Sequence, residues 1–200
     1  TGLDDGTNLI PKIYLMELLN EFSSDFLKRT LPKKNVGNCN NSSNLLDYYI
    51  DYGIVHHLYH YSIIEKYIKN NTKICEIGGG FGSLARVILK NHNVKYFLID
   101  LPEANLQANY YLQNNLPEKR VFNYIDYKNK KIGNEIQNYE IFILPPHVIN
   151  DSKMKEILFD FFINSRSFME MTSESIKNYF YFIQNKSTRN SFFLNINSLK

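Results

Sequence analysis

Two hundred residues suffice for one α/β domain with an added segment, and for a sizeable buried core. Apolar residues make up 44% and charged ones 22%, which excludes the disordered and fibrous classes. The net charge of +3 is weak and the lysines are scattered among asparagines and acids, so the basic stripe expected of a nucleic-acid binder is missing.

The chain opens at Thr1 with neither Met nor a leader-like segment, as expected of a piece of a longer protein. Residues 13–28, "IYLMELLNEFSSDFLK", place Leu15, Leu18, Leu19, Phe22 and Phe26 on one face of a predicted helix. The polar stretch "LPKKNVGNCNNSSN" then reads as a loop. Helical spacing returns from Leu45 to about Asn70, with Gly53 as a weak point and Ile50, Ile54, Leu58, Ile64 and Ile68 on one face. Residues 1–70 thus read as an N-terminal helical segment, and residues 71–200 as a ligand-binding α/β domain.

Beyond residue 70 the period changes. "KICEIG", "VKYFLID", "RVFNYID", "YEIFILPP", "FDFFINS" and "SFFLNIN" read as strands. "SLARVILKN", "PEANLQANYYLQNN" and "SESIKNYFYFIQNK" read as helices, the second with Pro102 in its first turn. A Lys/Asn-rich loop is expected over 127–138. Alternating strands and helices predict a doubly wound, mostly parallel α/β sheet, because parallel neighbours need crossover connections. Cys39 and Cys75 lie far apart, and Cys75 sits in an apolar run, so free thiols and a reducing cytoplasm are expected. No apolar run reaches the length of a membrane span, and nothing in the sequence fixes an oligomeric state.

The stretch "ICEIGGGFGSLARVILKNHNVKYFLIDLPE", residues 74–103, joins a strand, a glycine loop, a helix and a second strand. A phosphate-gripping loop of the form G-x-x-x-x-G-K-[ST] fails, because "SLAR" follows Gly82. The dinucleotide fingerprint fails from Gly78, where Ser83 stands for the third glycine. Counted as Gly80, Gly82 and Ala85 it survives, so a nicotinamide-dependent oxidoreductase stays open. Glu76, two residues before the first glycine, would repel a pyrophosphate but suits an amino-acid head and a sulfonium. Asp100 closes the second strand, where a carboxylate accepts both ribose hydroxyls. These two positions suit S-adenosylmethionine.

"EIGGGFG" with "FLIDLPE" resembles the class I S-adenosylmethionine-dependent methyltransferases. "FDFFINSRSFMEMTSESIKNYFYFI", ending in "FFLNIN", resembles the sugar O-methyltransferases of bacterial surface-polysaccharide clusters. Together the motifs cover roughly residues 60–197. The resemblance implies a Rossmann-like fold in which Gly78, Gly79, Gly80, Phe81 and Gly82 back the cofactor, Asp100 binds its ribose and Leu101 lies against its adenine. It also implies two further strands after residues 191–197 in a complete sheet, the last antiparallel. The implied reaction is methyl transfer to a hydroxyl of a sugar or glycan precursor. A non-catalytic cofactor-binding or interaction domain is the rival of another class.

An alcohol acceptor gains from a general base. His147 after "ILPP" and Glu170 in "SFMEM" are the candidates, with Asn164 and Ser167 as polar contacts to the acceptor. Met169 and Met171 read as packing. "HHLYHY", residues 56–61, has two histidines at helical ligand spacing but no third ligand, so no metal is expected. That helix is expected near the cofactor, with Tyr61 or His60 lining the pocket. Asp126 is placed to reach the adenine amino group or to serve as a loop acid.

Overall fold

The structure, a computed structural model, describes residues 13, 16, 19–37, 43–45 and 48–197. Leu15, Leu18 and Cys39 lie outside them. Residues 19–21 are helical, but the predicted helix over 13–28 does not run through. Ser23 stops it: its hydroxyl accepts the Phe26 N–H at 3.2 Å and starts a new helix, α1 (Ser24–Thr30). Asp25 lies in its first turn and Lys28 and Arg29 in its last, the charge order its dipole favours.

Leu45 and Tyr48–Ile50 also depart from the helical reading. Ser43–Leu45 (β1) and Tyr48–Ile50 (β2) pair as an antiparallel hairpin, and the Tyr49 N–H ties it to the Pro32 carbonyl at 2.9 Å. The helix begins only at α2 (Tyr52–Ile64), where the Asp51 carboxylate caps the Ile54 N–H at 2.8 Å. Gly53 falls in its first turn, where the missing side chain costs least.

Six strands follow: β3 (Lys73–Ile77), β4 (Lys95–Ile99), β5 (Val121–Phe122), β6 (Ile141–Leu144), β7 (Phe159–Ser165) and β8 (Ser187–Ile196). They form one sheet of order β5-β6-β4-β3-β7-β8, and every neighbouring pair is parallel. The crossovers include α3 (Ser83–Asn91), α4 (Pro102–Asn115), α5 (Tyr124–Asn129), α6 (Ile132–Glu135) and α7 (Ser173–Lys186). The expected doubly wound parallel α/β fold is what the chain adopts.

The expected strand "RVFNYID" is only two residues long, and the loop predicted over 127–138 contains helices. Asn123 is the reason. Its side chain accepts the N–H groups of Ile125 and Asp126, while Asp126 answers the Asn123 N–H, a reciprocal cap that turns the chain into α5.

Both faces of the sheet are covered at its centre, so β3, β4, β6 and most of β7 are apolar and buried, while the edge strand β8 is largely polar. On one face Ile74, Tyr96, Leu98, Ile143 and Ile163 share a core with Phe26 and Leu27 of α1, Ile54 and Leu58 of α2, and Leu84 and Val87 of α3. On the other, Cys75, Ile77, Phe97, Phe142 and Phe162 pack with Phe182 of α7, and the rings of Phe97 and Phe142 stack at 4.2 Å. Cys75 is a buried free thiol. Two buried polar residues break the pattern: Asn164 at 0% exposure in β7, and Glu76, which sits on the first face, between Ile74 and the glycine loop, at 1% exposure. Among the described residues no helix is long and apolar enough to cross a membrane.

Chain direction reverses its drift between β3 and β7. β4, β6 and β5 build outward on one side, β7 and β8 on the other. In such sheets the ligand crevice opens beyond the carboxyl ends of the strands at that switch point.

Candidate functional site

The glycine loop leaves β3 at the switch point. Gly78 has φ +74° and Gly80 φ +55°, backbone regions that residues with a Cβ rarely enter. A Cβ on Gly78 would collide with Ser167, on the loop that leaves β7, so the two strand ends close on each other there. A Cβ on Gly79 would lie 2.6 Å from the Glu76 carboxylate, which therefore sits directly beneath the loop. A Cβ on Gly80 would meet nothing within 4 Å, so this part of the loop faces open space. Gly82 caps α3 in a left-handed conformation, and Phe81 stands edge-on to Tyr111 at 4.9 Å.

Asp100 faces the loop from the end of β4. One carboxylate oxygen accepts the Gly80 N–H at 2.7 Å and the other the Leu101 N–H at 2.7 Å. Burial raises its pKa, the two N–H donors pull it down, and the Glu170 charge pushes it up. Glu170 thus acts on the loop from the far side of the switch point. Leu101 is 61% exposed, an apolar side chain offered beside the carboxylate.

Glu76 receives a hydrogen bond from the Tyr96 hydroxyl at 2.8 Å. Burial raises its carboxyl pKa to about 7, opposed by the Tyr96 bond and reinforced by Asp100. Tyr96 was not among the residues expected at the site, although its place two residues before Leu98, the register partner of Glu76, puts it on the same face. A stability prediction follows from the sign of the shift. The folded chain holds the Glu76 proton more tightly than the unfolded chain, so this contribution is full below about pH 4.5 and is lost as pH rises through about 7. Its size is ~3 kcal/mol. His57 and His60, held down to about 3 and about 4 by burial, act in the opposite sense below their ordinary range. The quantity to measure is therefore the difference in urea midpoint between wild type and Glu76→Gln across pH 4–8. A difference that does not change with pH would show that Glu76 titrates normally.

The loop after β7 carries the remaining expected residues. Asn164 is fully buried, and its amide donates to the Ile77 carbonyl at 2.9 Å and to the Ser167 hydroxyl, while its carbonyl accepts from Asn197 at 3.0 Å. Expected as an acceptor contact, it instead ties β3, the β7 loop and the β8 end together from inside. Ser167 donates to the Ile77 carbonyl at 3.0 Å and lies against Gly78. Glu170 ends a short 3-10 turn, Phe168–Glu170, with its side chain exposed. His147 is exposed beyond β6, and its Nε2 meets the Tyr124 hydroxyl at 3.0 Å.

His60 reaches the same edge: its Nδ1 lies 3.2 Å from the Ser165 hydroxyl at the end of β7. Tyr61 does not. It points toward the opposite end of α3, where its hydroxyl bonds the His92 ring at 2.8 Å, because one helical residue is a turn of about 100°. The Asp126 carboxylate serves its own helix, capping Asn123 and pairing with Lys130 at 2.9 Å. Among the described residues no group of three His, Cys, Asp or Glu is placed to hold a metal ion.

No protein-family model and no curated protein matches the chain. Solved structures with similar folds include the mitomycin 7-O-methyltransferase MmcR, at 16% identity and a TM-score of 0.41 over 60% of this chain. The glycopeptide N-methyltransferase MtfA complexed with sinefungin aligns at 10% identity and 0.47 over 70%. An S-adenosylmethionine-dependent methyltransferase from Clostridium acetobutylicum aligns at 15% and 0.46 over 72%. The likeness is one of fold. The chain spans 29%, 48% and 50% of the lengths of these three proteins. Its ligand is read from its own loop.

Proposed function

We propose that the chain binds S-adenosylmethionine on the glycine loop and directs its methyl group to a hydroxyl of a sugar or glycan precursor. The observation that carries the cofactor is the Asp100 carboxylate on the Gly80 N–H at 2.7 Å. A loop that cradles a phosphate offers its N–H groups to the anion. Here a carboxylate already takes one of them, and a second, Glu76, lies under the preceding residue, Gly79. Two carboxylates around the loop repel a pyrophosphate and favour a cationic ligand with ribose hydroxyls.

Each Asp100 oxygen keeps a lone pair beyond its backbone bond, enough to accept one ribose hydroxyl. Leu101 and Phe81 supply apolar surface at either end of that carboxylate. Glu76 balances positive charge above Gly79 once it is ionised, which its pKa permits near neutral pH. Bound there, the cofactor supplies an electrophilic methyl group on a sulfonium. Glu170 takes the acceptor hydroxyl's proton, with His147 as the second base at the same sheet edge. Ser167 holds the loop closed against Gly78. The sugar rests on the sequence resemblance of residues 159–197.

Calorimetric titration with S-adenosylhomocysteine and with NAD, in parallel, tests the reading. Micromolar binding of the first and none of the second is expected. Binding of NAD alone sinks it in favour of a dinucleotide enzyme. Turnover that survives Glu170→Gln would remove that residue from the chemistry.

A further inference from the structure

The acceptor side of the site carries a charge that the methyl-transfer reading leaves unused. His56, His57 and His60 stand on α2, with the His56–His60 and His57–His60 ring centroids each 6.1 Å apart. Ser165 links this cluster to the end of β7 through its 3.2 Å contact with His60. The next residue, Arg166, is exposed and has φ +68°, a left-handed conformation that a non-glycine residue holds only where its surroundings impose it. Its N–H on the Ile196 carbonyl at 2.7 Å imposes it here, fixing the residue between the last two strands.

Burial first and the Arg166 charge with it lower the pKa of all three imidazoles. The other charges acting on them are those of Arg86 and of the histidines themselves. Among the described residues Arg166 forms no ion pair, and no carboxylate acts on His57 or His60. The Nδ1 of His57 is buried there with no hydrogen-bond partner. An exposed guanidinium whose backbone is fixed at the end of β7, beside a cluster of buried imidazoles, is placed to receive an anion.

We propose that the acceptor is an acidic sugar, whose carboxylate or phosphate is received by Arg166 on the α2 side of the crevice. The inference rests on the methyl-transfer reading for its setting but not for its test. Arg166 recognises the acid group, and the choice of base is unaffected.

The chain is titrated first with S-adenosylhomocysteine, and the loaded chain then with D-glucuronate, glucose 1-phosphate and glucose. One of the two charged sugars is expected to bind at least about tenfold more tightly than glucose, the worth of one charge-assisted bond. Which one does so separates a uronic acid from a sugar phosphate. Arg166→Asn, which tolerates the left-handed backbone, abolishes the preference while leaving S-adenosylhomocysteine affinity unchanged, and Arg166→Lys restores part of it. If S-adenosylhomocysteine fails to bind, the methyl-transfer reading falls, and the same three sugars on the unloaded chain still read the charge preference. Equal affinities, no sugar binding at all, or a preference that survives Arg166→Asn overturns the proposal.

Discussion

Asp100→Ala is expected to weaken S-adenosylhomocysteine binding by about two orders of magnitude, because two hydrogen bonds to a charged acceptor are lost at roughly 1.5–3 kcal/mol each, less what water returns. The fold should barely notice. The Gly80 and Leu101 N–H groups lose their carboxylate, but the site is open on that side and water replaces it. Asp100→Asn keeps one accepting oxygen and should fall between, at about tenfold weaker. Calorimetry gives the affinities and a melting curve the stability. Wild-type affinity retained in Asp100→Ala would take the ribose away from this residue, whatever the loop binds.

Gly78→Ala is expected to act on the fold first. The left-handed backbone alone costs an alanine roughly 1–2 kcal/mol. The new methyl group also drives into the Ser167 side chain, which is pinned by its own bond to Ile77. Relief requires parting the ends of β3 and β7, so a total of about 3 kcal/mol is expected, or roughly 10 °C in melting temperature. The variant Gly78→Ala with Ser167→Gly removes the collision and leaves the backbone cost, so it should recover about half. No recovery would mean that the backbone conformation, and not the contact between the two loops, makes glycine necessary there.

What the sequence disclosed and what it hid divide by distance along the chain. The glycine loop, Asp100 and Leu101 belong to one strand-loop-helix-strand unit, and short-range periodicity and spacing place them at one sheet edge. Glu76 was legible as a carboxylate in an apolar run. The burial that raises its pKa, and the Tyr96 hydroxyl beneath it, depend on the register of β3 against β4. Asn164 reads as an acceptor contact in sequence because it falls beside Glu170 and Ser167. Only the pairing of β3 with β7, 87 residues on, shows its amide turned inward to Ile77. Arg166 gave no signal, since a left-handed residue outside glycine or asparagine leaves no mark in composition. The missed helix α5 did leave one: Asn123 and Asp126 have the spacing of a reciprocal cap, masked by the apolar Val121, Phe122 and Ile125 around them.

The place of β6 between β4 and β5 bears on how the chain is made. Among the described residues β5, at residues 121–122, has no strand to pair with until residues 141–144 exist, because its one neighbour there is β6. A nascent chain that has emerged as far as residue 130 therefore carries β4 with one flank bare, its N–H and C=O groups unmatched. Synthesis must outrun any stray pairing at that flank. Slowing translation just after α4 should thus raise aggregation more than the same pause after β6, when the flank has been filled.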